Sequence, residues 1–276
     1  TCSPTRHALY TGLYPVKSGA HPNHAVANPG TRSMPHYLAP LGYRVALAGK
    51  THIDPLEVYP FEYIRSPERK PGQYSPEDAP QWNTIEQFIR RDDSQPFCLV
   101  FASNEPHSPW TKGDVSVFDP DRLTLPSYFV DTPETRRALA HYYAEISVLD
   151  NQVGRLMAML QEHRKHDNTV VIFLSEQGSS FPHCKWTLYD TGIRASGIVR
   201  WPGKVKPGSK SDALIQYVDV LPTLLEAAGG QLAEAIDGRS FLRVLTGRQK
   251  KFRDHVFGIQ TTRGIINGSP AYGIRC

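Results

Sequence analysis

The chain has no apolar run approaching the ~20 residues that a membrane span requires, and it opens on no charged-then-apolar leader. It has no block of Lys and Arg either. The formal charge of +4 is spread over 276 residues, so neither nucleic acid nor a membrane span is an expected partner. Cysteines are few, four in all. Cys98 sits in an apolar run and Cys2 in a polar motif, which leaves only Cys184 and Cys276 and no readable disulfide framework. Internal repeats are missing too. Proline and glycine are plentiful, at 23 and 21, as expected of a domain with many ordered loops, where sites on α/β scaffolds reside. The length allows one large α/β domain or two small ones, and one is expected.

Short apolar runs alternate with helical patterns, which predicts an α/β fold with a mostly parallel sheet sandwiched by helices. Four runs read as strands: residues 43–48, 97–101, 169–174 and 197–201. The clearest helix begins at Thr132-Pro133, a hydroxyl cap followed by proline. It carries Leu139, Tyr143, Ile146, Leu149, Val153, Leu156 and Leu160 at three- and four-residue steps, a face that packs on the sheet. A second helix runs from Asp219 through Leu225 to a Gly229-Gly230 stop. The stretch Ser66 to Trp82, rich in Pro, Gly and charge, reads as a surface loop.

Polar residues fall just past the strands. Gly49-Lys50-Thr51-His52 follows the first, Asn104-Glu105-Pro106-His107 the second, and Ser175-Glu176-Gln177-Gly178 the third. In open α/β sheets the ligand crevice lies outside the carboxyl ends of the strands, so these loops are expected to converge. A further motif stands at the start, Cys2-Ser3-Pro4-Thr5-Arg6, with the spacing C-x-P-x-R. Pro4 suits the first turn of a helix, which places Cys2 at a helix N-terminus where anions are favoured. From these five residues alone, a turn carrying an ordinary cysteine fits equally well.

Taken together, C-x-P-x-R, G-K-x-H, P-H and an acid–amide pair before glycine resemble the sulfatase family, on the alkaline-phosphatase-like fold. The segments Val58-Tyr59-Pro60-Phe61, Leu125-Pro126-Ser127-Tyr128-Phe129, Phe181-Pro182 and Phe257-Gly258-Ile259-Gln260 resemble its heparan N-sulfatase (sulfamidase) branch. The resemblance implies that a formylglycine-generating enzyme oxidises Cys2 to formylglycine, whose hydrate attacks sulfur. A sulfated gem-diol can lose sulfate by C–O cleavage as the aldehyde re-forms, which a serine sulfate cannot. It further implies that Arg6 and Lys50 steady the hydrate and the sulfate oxygens. His52 would act on the second hydroxyl, His107 on the substrate side, and Lys185 on a sulfate oxygen and the leaving atom. Glu176 and Gln177, with an oxygen from modified Cys2, would bind a calcium ion, a hard cation that prefers such donors. His21, His24, Glu105 and His183 are implied as lining the pocket for a sulfated carbohydrate, with N-sulfoglucosamine of heparan-type chains as the sharpest form of that expectation. The compartment expected of the family is periplasmic, secreted or lysosomal.

The pattern departs from the family in two respects. The metal pair is usually Asp followed by Asn or His, and here each side chain is one methylene longer. Two further aspartates of the family come from a strand before the signature. The 1–276 stretch is therefore expected to be a catalytic domain truncated at its N-terminus and shortened in its C-terminal subdomain. Three alternatives stay open: an O-sulfatase on another glycan, a phosphatase or phosphodiesterase of the same superfamily, and an inactive carbohydrate-binding remnant. The phosphatase reading is disfavoured by Cys2 at the nucleophile position and by the lack of a His-rich zinc set.

Overall fold

Strands and helices alternate as the short apolar runs predict. The computed structural model describes residues 1–66, 79–231 and 235–260, and the backbone of residues 272–275. Helices α1 (Cys2–Thr11), α2 (Pro15–Ser18) and α3 (Met34–Leu38) precede strands β1 (Arg44–Gly49) and β2 (Glu62–Ile64). Helix α4 (Trp82–Arg90) leads into β3 (Phe97–Ala102), α5 (Pro133–Glu162) into β4 (Val171–Leu174), and α6 (Asp190–Ile193) into β5 (Gly197–Arg200). Helices α7 (Val220–Ala227) and α8 (Leu242–Leu245) and the antiparallel pair β6 (Phe257–Gln260) and β7 (Tyr272–Arg275) follow.

β1 is the middle strand of a parallel sheet ordered β2-β1-β3, with Ala46 beside Glu62 and Leu99. Its alternation assigns its two faces. Val45 and Leu47 enter a core with Tyr10 of α1, Met34 and Leu38 of α3, and Leu221 and Leu225 of α7. Ala46 and Ala48 face a second core built from Ile85, Phe88 and Ile89 of α4 and Met159 and Leu160 of α5. Each of the three α4 side chains is essentially fully buried and contributes roughly 2 kcal/mol, enough to hold a nine-residue helix that would be marginal alone. The helix-covered sheet is thus the architecture expected.

Two features differ from a mostly parallel sheet and a surface loop reaching Trp82. The fourth apolar run lies antiparallel to the third, with Val171 opposite Arg200 and Leu174 opposite Gly197. A parallel return needs a long crossover, usually a helix packed on the sheet, and between β4 and β5 only the four-residue α6 is helical. Trp82 is not loop but the first residue of α4, stacked on Phe101 at 5.4 Å. Most of the remaining Ser66–Trp82 stretch, residues 67–78, lies outside the described residues. The long helix starts where its cap predicts, with the Thr135 N–H donating to Thr132 Oγ1 at 3.2 Å. Among the described residues no helix is long and apolar enough to cross a membrane, and Cys2, Cys98 and Cys184 are free thiols. Cys98 packs against the first core, and burial pushes its thiol up to about 12.

Candidate active site

The site begins with backbone placement. α1 opens at Cys2, which is buried at 4 % exposure, so the C-x-P-x-R motif is the first turn of a helix as its proline predicts. Arg6 lies one turn on, on the same side of α1 as Cys2. β1 ends at Gly49 with φ +86°, and a Cβ there would stand 2.4 Å from the Ala102 carbonyl oxygen. Only glycine fits both demands. The next N–H, that of Lys50, donates to the same Ala102 carbonyl at 2.9 Å, so the loop carrying Lys50 and His52 is tied to the end of β3. At the end of β4 the Tyr217 hydroxyl donates to the Ser175 carbonyl. Gly178 passes so close to Thr191 that a Cβ would overlap its carbonyl. Glu176 and Gln177 are held between these two points.

Arg6 joins the pieces. Its Nη1 donates to the Lys50 carbonyl at 3.0 Å, and its Nη2 lies 3.9 Å from Glu176 Oε2. The Tyr10 side chain, 1 % exposed, lies near the same guanidinium. Lys50 is 5 % exposed. Burial lowers the pKa of its ammonium, Arg6 and Lys185 push the same way, and Cys2 and Glu176 oppose them. Burial also lowers His107, with Lys50 and Lys185 adding to it while the Ser108 carbonyl and Glu176 oppose. Residues from four places in the chain therefore share one electrostatic field: Cys2 and Arg6 on α1, then Lys50, His107, and Glu176 with Lys185 on loops.

His52 belongs to that field. Burial, then Lys50, His24 and Arg6, push its pKa down to about 3, so it is neutral at physiological pH. Its Nε2 lies 2.7 Å from Nδ1 of His24, whose ring is exposed to solvent. His21 is half-buried in the same loop as His24. Among the described residues five non-glycine residues have positive φ, and four of them are His24, His52, His183 and Trp186. Left-handed backbone is unfavourable for such residues and gathers where function over-determines it.

Two oxygens here are buried without a hydrogen-bond partner among the described residues, Oε1 of Glu176 and Oε1 of Gln177. Such atoms are costly to bury unless something binds them. One carboxylate and one amide oxygen form a donor set that suits a hard cation such as calcium. The extra methylene relative to the usual pair leaves the donor type unchanged.

Two expected pocket residues have partners within the protein. Glu105 is engaged within the protein: Ser103 Oγ donates at 2.9 Å, Gln152 Nε2 at 3.0 Å and Lys112 Nζ at 2.5 Å. Burial works to raise its carboxyl, but those three donors keep it below the ordinary value. It shapes the loop that carries His107. His183 is exposed, its ring 5.6 Å from that of Tyr189, and its carbonyl accepts from the Thr187 and Thr191 hydroxyls.

Sequence reasoning missed three supports. Glu145 on α5, 2 % exposed, accepts the Thr111 and Lys112 N–H groups at 2.9 Å each and pins the His107 loop. Its signal was a charge on an apolar stripe, between Tyr142 and Leu149 at three- and four-residue steps. Phe181 stacks on Trp110 at 4.8 Å and meets Phe129 and Tyr142, which binds the Lys185 loop to the His107 loop. Tyr10 was readable only as a helix residue.

A family profile for the sulfatases matches residues 1–230. An ulvan-active sulfatase of Formosa agariphila is 34% identical over 271 residues, which cover 96% of this chain and 52% of that protein. The human N-sulphoglucosamine sulphohydrolase is 26% identical over 317 aligned positions, covering all of this chain and 62% of that protein. The chain thus spans between half and two thirds of the length of these curated relatives. Among solved structures, the phosphonate monoester hydrolase of Agrobacterium radiobacter superposes with a TM-score of 0.79 at 18% identity, covering 97% of this chain and 72% of that one. That likeness concerns the alkaline-phosphatase-like fold alone. With the profile covering most of its length, the chain belongs to the sulfatase family.

Proposed function

We propose that the protein of which this chain is the catalytic part removes sulfate from a sulfated sugar. Arg6 carries this reading, because one guanidinium links the helix that begins at Cys2 to the Lys50 loop at 3.0 Å and to Glu176 at 3.9 Å. Cys2, oxidised to formylglycine by a formylglycine-generating enzyme, supplies a hydrated aldehyde as nucleophile. Glu176 and Gln177 hold a calcium ion, whose charge stabilises sulfuryl oxygens when bound.

The chain's own residues do the remaining work. Arg6 orients the nucleophile through its two anchored ends. Lys50 and Lys185 present positive charge to the sulfate oxygens in a poorly hydrated crevice, where charge acts more strongly than in water. His52, held neutral, can accept a proton from a hydroxyl of the nucleophile. His107 acts on the substrate side, and Lys185 reaches a sulfate oxygen and the leaving atom. His21 and His183 border the sugar. A periplasmic, secreted or lysosomal site of action fits this chemistry as practised by the family.

Two substrate classes are favoured by different relatives. Resemblance to the N-sulphoglucosamine sulphohydrolase favours an N-sulfated glucosamine. Greater identity to the ulvan-active sulfatase favours a different sulfated glycan. The test is to coexpress the complete protein with a formylglycine-generating enzyme, then measure sulfate release from N-sulfoglucosamine and from an O-sulfated sugar. Mass spectrometry of the Cys2 peptide is expected to show the aldehyde. An unmodified thiol in fully active enzyme would sink the mechanism. Alanine variants at Lys50, His107 and Lys185 that melt normally are expected to lose on the order of 100-fold in rate.

A further inference from the structure

His52 and His24 touch through ring nitrogens. Nε2 of His52 and Nδ1 of His24 are 2.7 Å apart, with ring centroids at 4.4 Å and planes tilted by 48°. Between two imidazole nitrogens at that distance lies a single proton, since two lone pairs or two N–H groups would repel. The contact therefore links the tautomers of the two rings. The backbone holds it at left-handed φ on both sides, 65° at His24 and 52° at His52. Neither residue is a glycine that would adopt such angles freely.

The surroundings of the two rings differ. His52 is half-buried near the cations Lys50 and Arg6, which disfavour any lasting positive charge on it. His24 is exposed. A base so placed is better able to take a proton if it passes one on to a neighbour.

We propose that His24 is a proton relay for His52, carrying away through its Nδ1 the proton that His52 Nε2 releases when His52 Nδ1 accepts one from a hydroxyl at the reacting centre. One proton enters at His52 Nδ1, one crosses from Nε2 to His24 Nδ1, and one leaves His24 Nε2 for water. Neither ring keeps a net charge. The reverse transfer restores both tautomers when that hydroxyl forms again. The relay rests on the functional reading above, and it gives His24 a role other than contact with the sugar.

The first test needs no turnover. In the unmodified protein with 15N-labelled histidine, NMR is expected to show His52 Nε2 protonated and His24 Nδ1 bare, with one proton shared between them. A proton resident on His24 Nδ1, or no shared proton, overturns the relay. The second test uses the complete, active protein. His24→Ala is expected to lower kcat on the order of 100-fold, to leave KM within about 2-fold, and to regain rate with added imidazole. A rise in KM with kcat unchanged overturns the relay in favour of a substrate contact. Failure of the unaltered protein to release sulfate overturns the functional reading itself.

Discussion

The Arg6 guanidinium donates to the backbone carbonyl of Lys50 across 3.0 Å, so a side chain of the first helix holds the main chain at the end of the first strand. Both residues are more than nine-tenths buried. A backbone carbonyl cannot be changed by mutation, which makes Arg6 the side of the contact that can be tested.

Arg6→Lys is expected to lower sulfate release by the complete protein on the order of 100-fold. Lysine carries a point charge without the planar fork that lets arginine address the Lys50 carbonyl and Glu176 together. Steady-state kinetics at saturating substrate checks this. A lysine variant with full turnover would show that charge alone suffices at this position.

Glu176→Gln keeps the shape of the side chain and removes its charge. Calcium affinity follows the number of charged ligands, so calorimetry on the complete protein is expected to show binding weakened by about 10-fold or more. The rise in melting temperature on adding calcium should shrink in parallel. Unchanged affinity would move the metal away from Glu176 and Gln177.

His7 yields a pH dependence. It is fully buried on α1, where its Nδ1 meets the Tyr59 hydroxyl. Burial lowers its pKa from 6.5 to about 4. The unfolded chain therefore binds a proton at a pH where the folded chain does not. Stability is full above pH 6.5 and falls as pH drops from 6.5 towards 4, by on the order of 3 kcal/mol at most. Urea unfolding between pH 7 and pH 4.5 should show a shallower loss for His7→Gln than for the parent. Equal slopes would remove His7 as the cause.

Gly49→Ala puts a Cβ at a position with φ +86° and 2.4 Å from the Ala102 carbonyl. The left-handed backbone alone costs roughly 1–3 kcal/mol, and relief of the overlap must move the end of β1 and Lys50 with it. Both the urea midpoint and kcat are expected to fall. A variant with the parent's midpoint and rate would mean the strand end absorbs the methyl without moving Lys50.

Much of the fold was readable because its signals are local. The apolar run over residues 43–48 became β1 and that over residues 97–101 became β3, since a strand buried on both faces needs continuous apolar residues. Thr132-Pro133 started α5 because a hydroxyl cap and a proline act within one turn. The direction of β5 was not readable, since an apolar run looks the same whichever way its neighbour points. The roles of Glu105 and Glu145 were hidden for a similar reason. Glu105 stands beside His107 in a promising loop, yet its partners Lys112 and Gln152 are 7 and 47 residues away.

What the sequence determined by itself is the set of chemical types and their order along the chain. A cysteine sits at a helix start with an arginine one turn on, Lys50 and His52 follow one strand, and Glu176 and Gln177 follow another. Spacing within a turn or a loop is a covalent matter and needs no tertiary structure. Only the folded chain decided which of these groups meet. Arg6 reaches Lys50 across 44 residues, and His52 touches His24 across 28. Glu176 and Gln177 each keep one buried oxygen that no donor among the described residues meets. Those relations depend on how helices pack on the two faces of one sheet, where burial and distance, rather than residue type, set the charge each group carries.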